Sequence, residues 1–327
     1  MRLRTLDFMR AAYGRYALGA FNVSNLEQIH GLFRGADQAH APVIVQFTRA
    51  IRKYADPGML EGMLQAAEAL WPAVMFSVHL DHGDAPTCAD AIRSGHYSSV
   101  MIDASHHPFE QNIEATAAVV RPAHAAGLAV EAELGQLKGV EDDMEVSARD
   151  AILTDPGQAE TFVRRSGCDA LAVAIGTSHG AYKFAGKQRL HLDRLAEIRK
   201  RLPGIPLVLH GGSAVPRLEV ERINAAGGRI EPGASGVSED ELAAAIALGI
   251  AKVNIGTDGR LIWTRVHREF FAQNPKEFDF MVPGRLYMEE YAQFVASKCQ
   301  TLGSAGRASE LRETLRGHGA ISERLPA

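Results

Sequence analysis

Residues 74–102 read VMFSVHLDHGDAPTCADAIRSGHYSSVMI, and they contain the pattern that decides the fold. An apolar run, Val74–Leu80, is followed by a polar turn, a segment with helical periodicity, Ala85–Ser94, and a second apolar run, Ser98–Ile102. A strand, a helix and a second strand in this order predict two parallel strands joined by a helical crossover.

The same pattern recurs along most of the chain. Eight apolar runs are predicted as strands: Ala17–Val23, Pro42–Phe47, Val74–Leu80, Ser98–Ile102, Leu128–Leu134, Ala170–Ile175, Pro206–Leu209 and Ala251–Ile255. Eight βα units in about 255 residues predict an α/β fold of the (β/α)8 TIM-barrel type. A doubly wound sheet is disfavoured because no GxGxxG follows the first strand. We expect one domain over residues 1–327, with residues 260–327 as a helical C-terminal tail and residues 135–155 and 227–238 as loops.

Composition excludes several classes of protein. The chain carries 35 Lys and Arg against 39 Asp and Glu, and 46% of its residues are hydrophobic, which is ordinary for a globular protein. The absence of a basic block argues against nucleic acid or an anionic membrane as a partner. No apolar run reaches the roughly 18–20 residues of a membrane span, and no signal peptide is visible, so we expect a cytoplasmic protein. Three widely spaced cysteines are expected to be free thiols: Cys88, Cys168 and Cys299.

Polar side chains follow almost every predicted strand. In a TIM barrel the active site lies at the carboxyl ends of the strands, so these residues are expected to converge on one rim. They are Asn22 and Ser24, Gln46 and Thr48, His79, Asp81 and His82, Asp103, Glu131 and Glu133, His179, His210, and Asn254 and Thr257.

Three histidines of this rim point to a metal site. His82, His179 and His210 come from the third, sixth and seventh predicted strands, and three imidazoles that leave one position open are typical of catalytic zinc. Their spacing is not itself a zinc signature, since they can meet only if the barrel closes. The alternative is that each is an ordinary polar or surface histidine.

Three carboxylates accompany the histidines. Asp81 directly precedes His82, and in an extended segment the two side chains would point to different sides. This arrangement suits a general acid or base, and the alternative is that Asp81 only orients a ligating histidine. Asp103 and Glu133 are expected either to support the ligands or to bind the metal in an alternative position.

Glycine and hydroxyl groups cluster after the last three strands, in Gly176–Gly180 with Lys183, in Gly211–Ser213 and in Asn254–Thr257. Exposed backbone N–H groups at this place in a barrel often bind phosphate, and a lysine adds charge. A small phosphorylated substrate is therefore expected, unless these glycines serve only tight turns.

Longer motifs carry a resemblance to a known family. The chain contains, in order, AFNVSN, HLDHG, MIDASHHPFEQNI, EAELGQLKGVED, AIGTSHGAYK, HGGS, KVNIGTD and LGSAGRA. Together they resemble the class II, metal-dependent fructose-bisphosphate and ketose-bisphosphate aldolases over most of the chain. The resemblance implies a lyase of carbohydrate metabolism that reversibly cleaves fructose 1,6-bisphosphate, or a related ketose phosphate, to dihydroxyacetone phosphate and an aldehyde.

The resemblance also implies roles for the rim residues. Asp81 would exchange the proton of the C4 hydroxyl, and Glu141, on the long loop after the fifth strand, would be a mobile acid that exchanges a proton with the C3 carbon. One zinc ion would be held by three histidines, with two carboxylates close enough to serve when the ion moves: His82, His179 and His210, with Glu133 and Asp103.

Dihydroxyacetone phosphate would be bound by a second set of residues. The resemblance also implies a monovalent cation, Na⁺ or K⁺, near Gly180 and Gly211, and a homodimer or homotetramer. The residues implied to bind the substrate are Asn22, Thr48, Gly180, Lys183, Gly211, Gly212, Ser213, Asn254 and Thr257.

One departure concerns the far end of the sugar. The family usually reads Phe-Asp-Pro-Arg near its C-terminus, and that arginine binds the phosphate of the aldehyde half. This chain reads Phe278-Asp279-Phe280-Met281. Either Arg285 or Arg260 substitutes from a shifted position, or the enzyme uses another ketose phosphate, such as tagatose bisphosphate, with a different aldehyde.

Three rival functions remain open from the sequence. A three-histidine rim with an aspartate also suits a metal-dependent TIM-barrel hydrolase. A Schiff-base aldolase would need a lysine within a strand, and Lys252 lies near the start of the eighth strand whereas Lys183 lies beyond the sixth. The third alternative is a non-catalytic barrel retained as a structural or binding subunit.

Overall fold

The computed structural model describes residues 1–136, 138–141, 144–146, 152–179, 189–213, 215–230 and 237–317. For residues 138–141, 144–146, 178–179 and 317 it describes the backbone alone.

Eleven strands are present in the described residues, and eight of them form a closed parallel barrel in the order β1-β11-β10-β8-β5-β4-β3-β2. All eight barrel strands overlap the eight predicted ones, so the predicted TIM barrel is confirmed. The strands are β1 (Leu18–Asn22), β2 (Val43–Phe47), β3 (Phe76–Gly83), β4 (Ser99–Ile102), β5 (Ala129–Leu134), β6 (Lys138–Glu141), β7 (Met144–Val146), β8 (Ala170–Val173), β9 (Ser178–His179), β10 (Leu207–Leu209) and β11 (Ile250–Ile255).

Thirteen helices occupy the described connections and the two ends of the chain. In the described part of the chain, no helix is long and apolar enough to cross a bilayer. The helices are α1 (Thr5–Ala12), α2 (Leu26–Gln38), α3 (Arg49–Ala55), α4 (Pro57–Leu70), α5 (Ala85–Ser94), α6 (Phe109–Ala125), α7 (Pro156–Ser166), α8 (Leu192–Arg201), α9 (Arg217–Ala225), α10 (Glu239–Ala247), α11 (Thr257–Gln273), α12 (Met281–Thr301) and α13 (Ala308–Gly317).

Local sequence explains where a barrel helix begins and ends. The carboxylate of Asp84 accepts a hydrogen bond from the backbone N–H of Thr87 and so caps the first turn of α5. Pro86 fits this first turn because its missing N–H would have had no helical partner. Gly95 ends the helix with φ 71°, a left-handed conformation that glycine adopts without a steric penalty.

Helix α1 closes the amino-terminal end of the barrel. Its side chains Phe8 and Met9 are buried against strand residues that point into the barrel, among them Ile44 and Val208. Since apolar side chains fill this end, polar chemistry is confined to the opposite end, where the strands finish.

The first predicted loop, residues 135–155, contains a strand pair, so that part of the prediction was wrong. Strands β6 and β7 pair antiparallel, with Glu141 opposite Met144, and β9 pairs parallel with β6, with His179 opposite Gly139. Runs of three or four residues separated by two are typical of a hairpin, but they are too short to show clear periodicity. In the second predicted loop, residues 231–236 lie outside the described residues, and the others carry no helix or strand.

The C-terminal part of the chain, described as far as residue 317, carries helices α11, α12 and α13 and packs around the barrel. Helix α12 lies along α2, where Gly31 and Gly35 let the two backbones approach closely. An added Cβ at Gly35 would stand only 2.4 Å from the carbonyl oxygen of Ala292. Helix α12, near the end of the chain, is thus fixed to the first βα unit.

Candidate active site

The end of β3 brings two neighbouring side chains into the same cavity. His82 has φ 45°, and the register between β3 and β4 shifts between Leu80 and Gly83. The expectation that Asp81 and His82 point to different sides was wrong, because the segment is not regularly extended there. The Asp81 Oδ1 atom lies 3.9 Å from His82 Nε2, and both side chains are buried. A histidine held at positive φ is strained, and such strain is often found at functional sites.

His82 is oriented by a carboxylate behind it. Its Nδ1–H donates to Asp103 Oδ2 over 2.7 Å, so Nε2 is turned toward Asp81. Burial lowers the pKa of His82, but Asp81 and Asp103 raise it more, and the pKa reaches about 10. Asp103 also accepts hydrogen bonds from the backbone N–H and the hydroxyl of Ser105. Although burial raises the pKa of Asp103, His82 and then Ser105 lower it more and hold it well below its usual value.

His210 lies between two glutamates. Its Nε2 is 3.0 Å from Glu131 Oε1, and its Nδ1 is 3.0 Å from Glu133 Oε2. Burial lowers the pKa of His210, but Glu133 and Glu131 raise it above its usual value. The His82 and His210 rings face each other edge-on with centroids 4.8 Å apart.

These donors form two overlapping groups that could hold a metal ion. In each group, one ligand atom per residue lies within 4.8 Å of the others: Asp81, His82 and His210 in the first, and His82, Asp103 and Glu133 in the second. Imidazole nitrogens and carboxylate oxygens are the ligands that zinc binds. The described residues therefore fit a zinc ion, and the second group contains Asp103 and Glu133, the two carboxylates considered from the sequence either as supports of the ligands or as ligands themselves.

Three amides surround the Asp81 carboxylate. Asn22 Nδ2 donates to Oδ2 over 2.9 Å, Gln46 Nε2 donates to the same oxygen over 3.2 Å, and Asn254 Nδ2 donates to Oδ1 over 3.0 Å. Gln46 Nε2 also donates to Asn22 Oδ1 over 2.8 Å. Burial raises the pKa of Asp81, but His82 and the nearby Lys252 lower it more, so the carboxyl is ionised. We call Asn22, Gln46 and Asn254 the amide cradle.

Two of the three predicted phosphate-binding segments, those after β10 and β11, are in contact. The hydroxyl of Ser213 accepts a hydrogen bond from the backbone N–H of Gly256 over 3.2 Å. Gly212 is packed so tightly that an added Cβ would stand 2.4 Å from Val253 Cγ1. Thr257 begins the 17-residue helix α11, whose N-terminus favours an anion. Gly211, with φ 64°, completes this surface.

Other predicted site residues fall in different positions. Thr48 is buried and caps α3, where its hydroxyl accepts from the backbone N–H of Ile51. The backbones that carry His179 and Glu141 are neighbours, since β9 pairs with β6, but their side chains lie outside the described residues. Gly180 and Lys183 also lie outside the described residues.

Sequence analysis placed Gln46 and Glu131 on the rim without a specific role, and it considered Lys252 only as a possible Schiff-base lysine. Each lies in a predominantly apolar strand and is itself buried. A charged or amide side chain in such a run is expensive to bury unless it is paired. The free-energy cost of burying an unpaired polar side chain was therefore the signal that could have predicted that these three residues have partners inside the barrel.

Comparison with known proteins agrees with this geometry. The family model described as fructose-bisphosphate aldolase class II matches residues 4–229 and 231–307. A fructose-bisphosphate aldolase from Thermus caldophilus is 44% identical, with 94% of this chain and all of the relative aligned. One from Giardia intestinalis is 43% identical, with 91% of each chain aligned.

A solved structure shows the same likeness. The crystal structure of the YdjI aldolase from Escherichia coli K12 superposes with a TM-score of 0.75 at 29% identity, covering 94% of this chain and all of the other. The resemblance inferred from the sequence motifs is confirmed. The chain belongs to the class II fructose-bisphosphate aldolase family, whose members are metal-dependent lyases.

Proposed function

We propose that the protein reversibly cleaves fructose 1,6-bisphosphate between C3 and C4, giving dihydroxyacetone phosphate and an aldehyde. The observation that carries the proposal is the buried carboxylate of Asp81, which accepts hydrogen bonds from the amide cradle and lies 3.9 Å from a candidate metal ligand, His82. The names of the relatives from Thermus caldophilus and Giardia intestinalis support the substrate.

A zinc ion would be held by His82 and His210 together with His179. When bound, it would supply a Lewis acid that stabilises negative charge on substrate oxygens during C–C cleavage. Asp103 keeps His82 in the orientation that directs Nε2 into the cavity. Glu133 stands 3.0 Å from His210 and would serve as a further ligand when the ion moves, as would Asp103.

The proton steps would belong to two carboxylates. Asp81 is ionised and has a fixed position, so it would take the proton from the C4 hydroxyl as the bond breaks. Glu141 would then give a proton to C3 of the dihydroxyacetone phosphate half. Its strand pairs with β7 and β9 outside the barrel, a placement that suits a group brought to the substrate after binding.

The phosphate of dihydroxyacetone phosphate would lie against the segments after β10 and β11. Backbone N–H groups at the start of α11 and the hydroxyl of Ser213 supply hydrogen bonds and partial positive charge there. Gly211, Gly212, Thr257, Gly180 and Lys183 are the other proposed phosphate-binding residues, and Thr48 is proposed at the far end of the same molecule. Asn22 and Asn254 would bind substrate while holding Asp81.

The residues at the position where the family binds the aldehyde half of the sugar give a reason to test a second substrate. Phe278 is 92% exposed and Met281 52% exposed, so an apolar surface replaces the family's arginine. Arg260 and Arg285 are exposed as well. This observation supports the alternative that the enzyme acts on another ketose phosphate, such as tagatose 1,6-bisphosphate, or uses a different aldehyde.

Further properties are proposed with the same function. We expect a single-domain, cytoplasmic homodimer or homotetramer with no nucleic-acid or membrane partner. We expect one zinc ion per chain, and a monovalent cation near Gly180 and Gly211.

The decisive experiment is a coupled cleavage assay on zinc-loaded protein. Its substrate arms contain fructose 1,6-bisphosphate and tagatose 1,6-bisphosphate, and its controls are EDTA-treated protein and the Asp81→Ala variant. A separate arm follows exchange of the C3 protons of dihydroxyacetone phosphate with deuterated solvent by NMR.

Each outcome decides between the candidates. EDTA-sensitive cleavage of fructose 1,6-bisphosphate that Asp81→Ala abolishes supports the proposal. Preference for tagatose 1,6-bisphosphate, or metal-dependent proton exchange without cleavage of either sugar, establishes an aldolase with another substrate. Absence of both cleavage and exchange contradicts the proposed function.

A further inference from the structure

A buried ion pair crosses the interior of the barrel beneath the metal ligands. Lys252 Nζ donates to both carboxylate oxygens of Glu131, over 3.0 and 2.8 Å. Lys252 is 0% exposed and Glu131 1% exposed. The two residues come from β11 and β5, which β10 and β8 separate in the barrel. Burying two charges this deeply costs several kcal/mol per ion, so an apolar pair would serve the core at least as well.

The carboxylate of this pair also contacts a metal ligand. Glu131 Oε1 accepts from His210 Nε2 over 3.0 Å, while it accepts from Lys252. Since Nε2 is held by Glu131, Nδ1 is the nitrogen of His210 directed toward Glu133 and the facing ring of His82. A ligating histidine commonly donates its second N–H to a carboxylate, which fixes the ring and the tautomer.

A third side chain, His79, packs beside the carboxylate of Glu131 without a hydrogen bond to it. His79 Nε2 lies 3.6 Å from Glu131 Oε2, and His79 Nδ1 is hydrogen-bonded to Ser99 Oγ over 2.7 Å. Ser99 in turn donates to Thr5 Oγ1 on α1 over 2.8 Å. His79 is therefore held from the closed end of the barrel and packs beside Glu131, while the hydrogen bonds to Glu131 come from Lys252 and His210.

We propose that Lys252 and Glu131 are positioning residues, in which Lys252 fixes Glu131 and Glu131 fixes the His210 ring so that Nδ1 is presented to the zinc ion. This inference rests on the zinc site of the proposed function. It also gives Lys252 a role other than Schiff-base formation, because its ammonium group is committed to both oxygens of Glu131.

The test measures zinc affinity, which needs no substrate. Metal-free wild-type protein and the Lys252→Met and Glu131→Gln variants are titrated with zinc against a chromophoric chelator at fixed pH, and folding is checked by circular dichroism. We expect zinc to bind both variants about 10- to 100-fold more weakly, as is typical when a residue that orients a metal ligand is replaced.

Two further variants separate positioning from folding. Glu131→Met combined with Lys252→Met removes both charges and keeps similar volumes, so it is expected to fold even where a single variant does not. Arg265→Met is the matched control, because Arg265 is a buried cation with three glutamate partners outside this cluster. It should lower stability and leave zinc affinity unchanged.

A spectroscopic measurement reports ligand geometry directly. Cobalt(II) loaded in place of zinc has visible bands that depend on the arrangement of its ligands. Shifted bands in Glu131→Gln, with those of Arg265→Met unchanged, support the proposal. At saturating zinc, a lower kcat with little change in KM is expected.

The proposal is overturned if folded Glu131→Gln and the double variant bind zinc within about twofold of wild type. It is also overturned if Arg265→Met weakens zinc binding as much as they do, because the effect would then be general destabilisation. A wild-type protein that binds zinc but cleaves no sugar contradicts the proposed function and leaves this comparison intact.

Discussion

Replacing Gln46 by Met tests whether the amide cradle orients Asp81. Met has nearly the volume of Gln, so no cavity forms, but the amide that donates to Asp81 and to Asn22 is lost. The bond to Asp81 is long at 3.2 Å and shares its donor, so we assign it the lower end of the range for charged partners, about 1.5 kcal/mol. The buried oxygen of Asn22 loses a partner, which costs about as much again.

The expected result is a fall of about 3 kcal/mol in the free energy of unfolding and a 10- to 100-fold fall in kcat. Unfolding is measured by urea titration, and kcat by the coupled cleavage assay with saturating zinc. The loss in kcat follows because Asp81 keeps two amides and gains freedom to move from the position in which it takes a proton.

Asn224→Ala is the matched control for this prediction. Asn224 lies in α9 and makes two neutral hydrogen bonds, each 2.8 Å long, with the backbone of Ile230. Losing them should cost about 2 kcal/mol and leave kcat unchanged. If Gln46→Met is destabilised but has the kcat of wild type, the cradle supports the fold alone. If its stability is unchanged, the hydrogen-bond reasoning itself is wrong.

Three further predictions concern the phosphate surface, the thiols and the surface charges. Gly212→Ala should lower the free energy of unfolding by about 1–3 kcal/mol and raise KM, because the new Cβ would stand 2.4 Å from Val253 Cγ1. An unchanged melting temperature and an unchanged KM would contradict this prediction. Burial raises the pKa of all three cysteine thiols to about 12, so Ellman's reagent should label the protein only after unfolding in urea. Rapid labelling of the folded protein at pH 8 would contradict this prediction. Burial raises the pKa of Glu269, but Arg222 and Arg265 lower it below its ordinary value of 4.5. The stabilisation from Glu269 is therefore complete above about pH 4.5 and is lost as the pH falls through the folded-state pKa. The free energy of unfolding of Glu269→Gln should then change less between pH 7 and pH 3 than that of wild type. Equal changes in the two proteins would refute this prediction.

The sequence predicted the barrel because its signal repeats. Each βα unit carries a short apolar run and a helical period, and eight repetitions leave few alternative folds. Helix α1 was missed because it precedes the first repeat, and the β6–β7 pair because its strands are very short. These elements depend on packing against the rest of the barrel more than on local periodicity.

The candidate site could be predicted in outline but not in its pairings. Strand ends identified Asp81, His82 and His210, since a barrel places all strand ends on one rim. The partner of each side chain depends on contacts across the barrel: Asn254 and Asp81 are 173 residues apart in the chain. These contacts are set by strand register, by the register shift in β3 and by the positive φ at His82. None of these three features can be predicted from the amino-acid sequence by local pattern.

The packing of α12 on α2 has a consequence for synthesis of the chain. The first barrel strand pairs with the last one, and α2 is covered by a helix that ends at Thr301. At about 5–20 residues per second, a ribosome needs roughly 15–60 s to reach that point. The unpaired backbone edge of β1 stays open until residue 255 has been made, and the glycine-lined face of α2 stays open until residue 301. Contacts this distant in sequence also form slowly. We expect the growing chain to depend on chaperones until its last tenth is released.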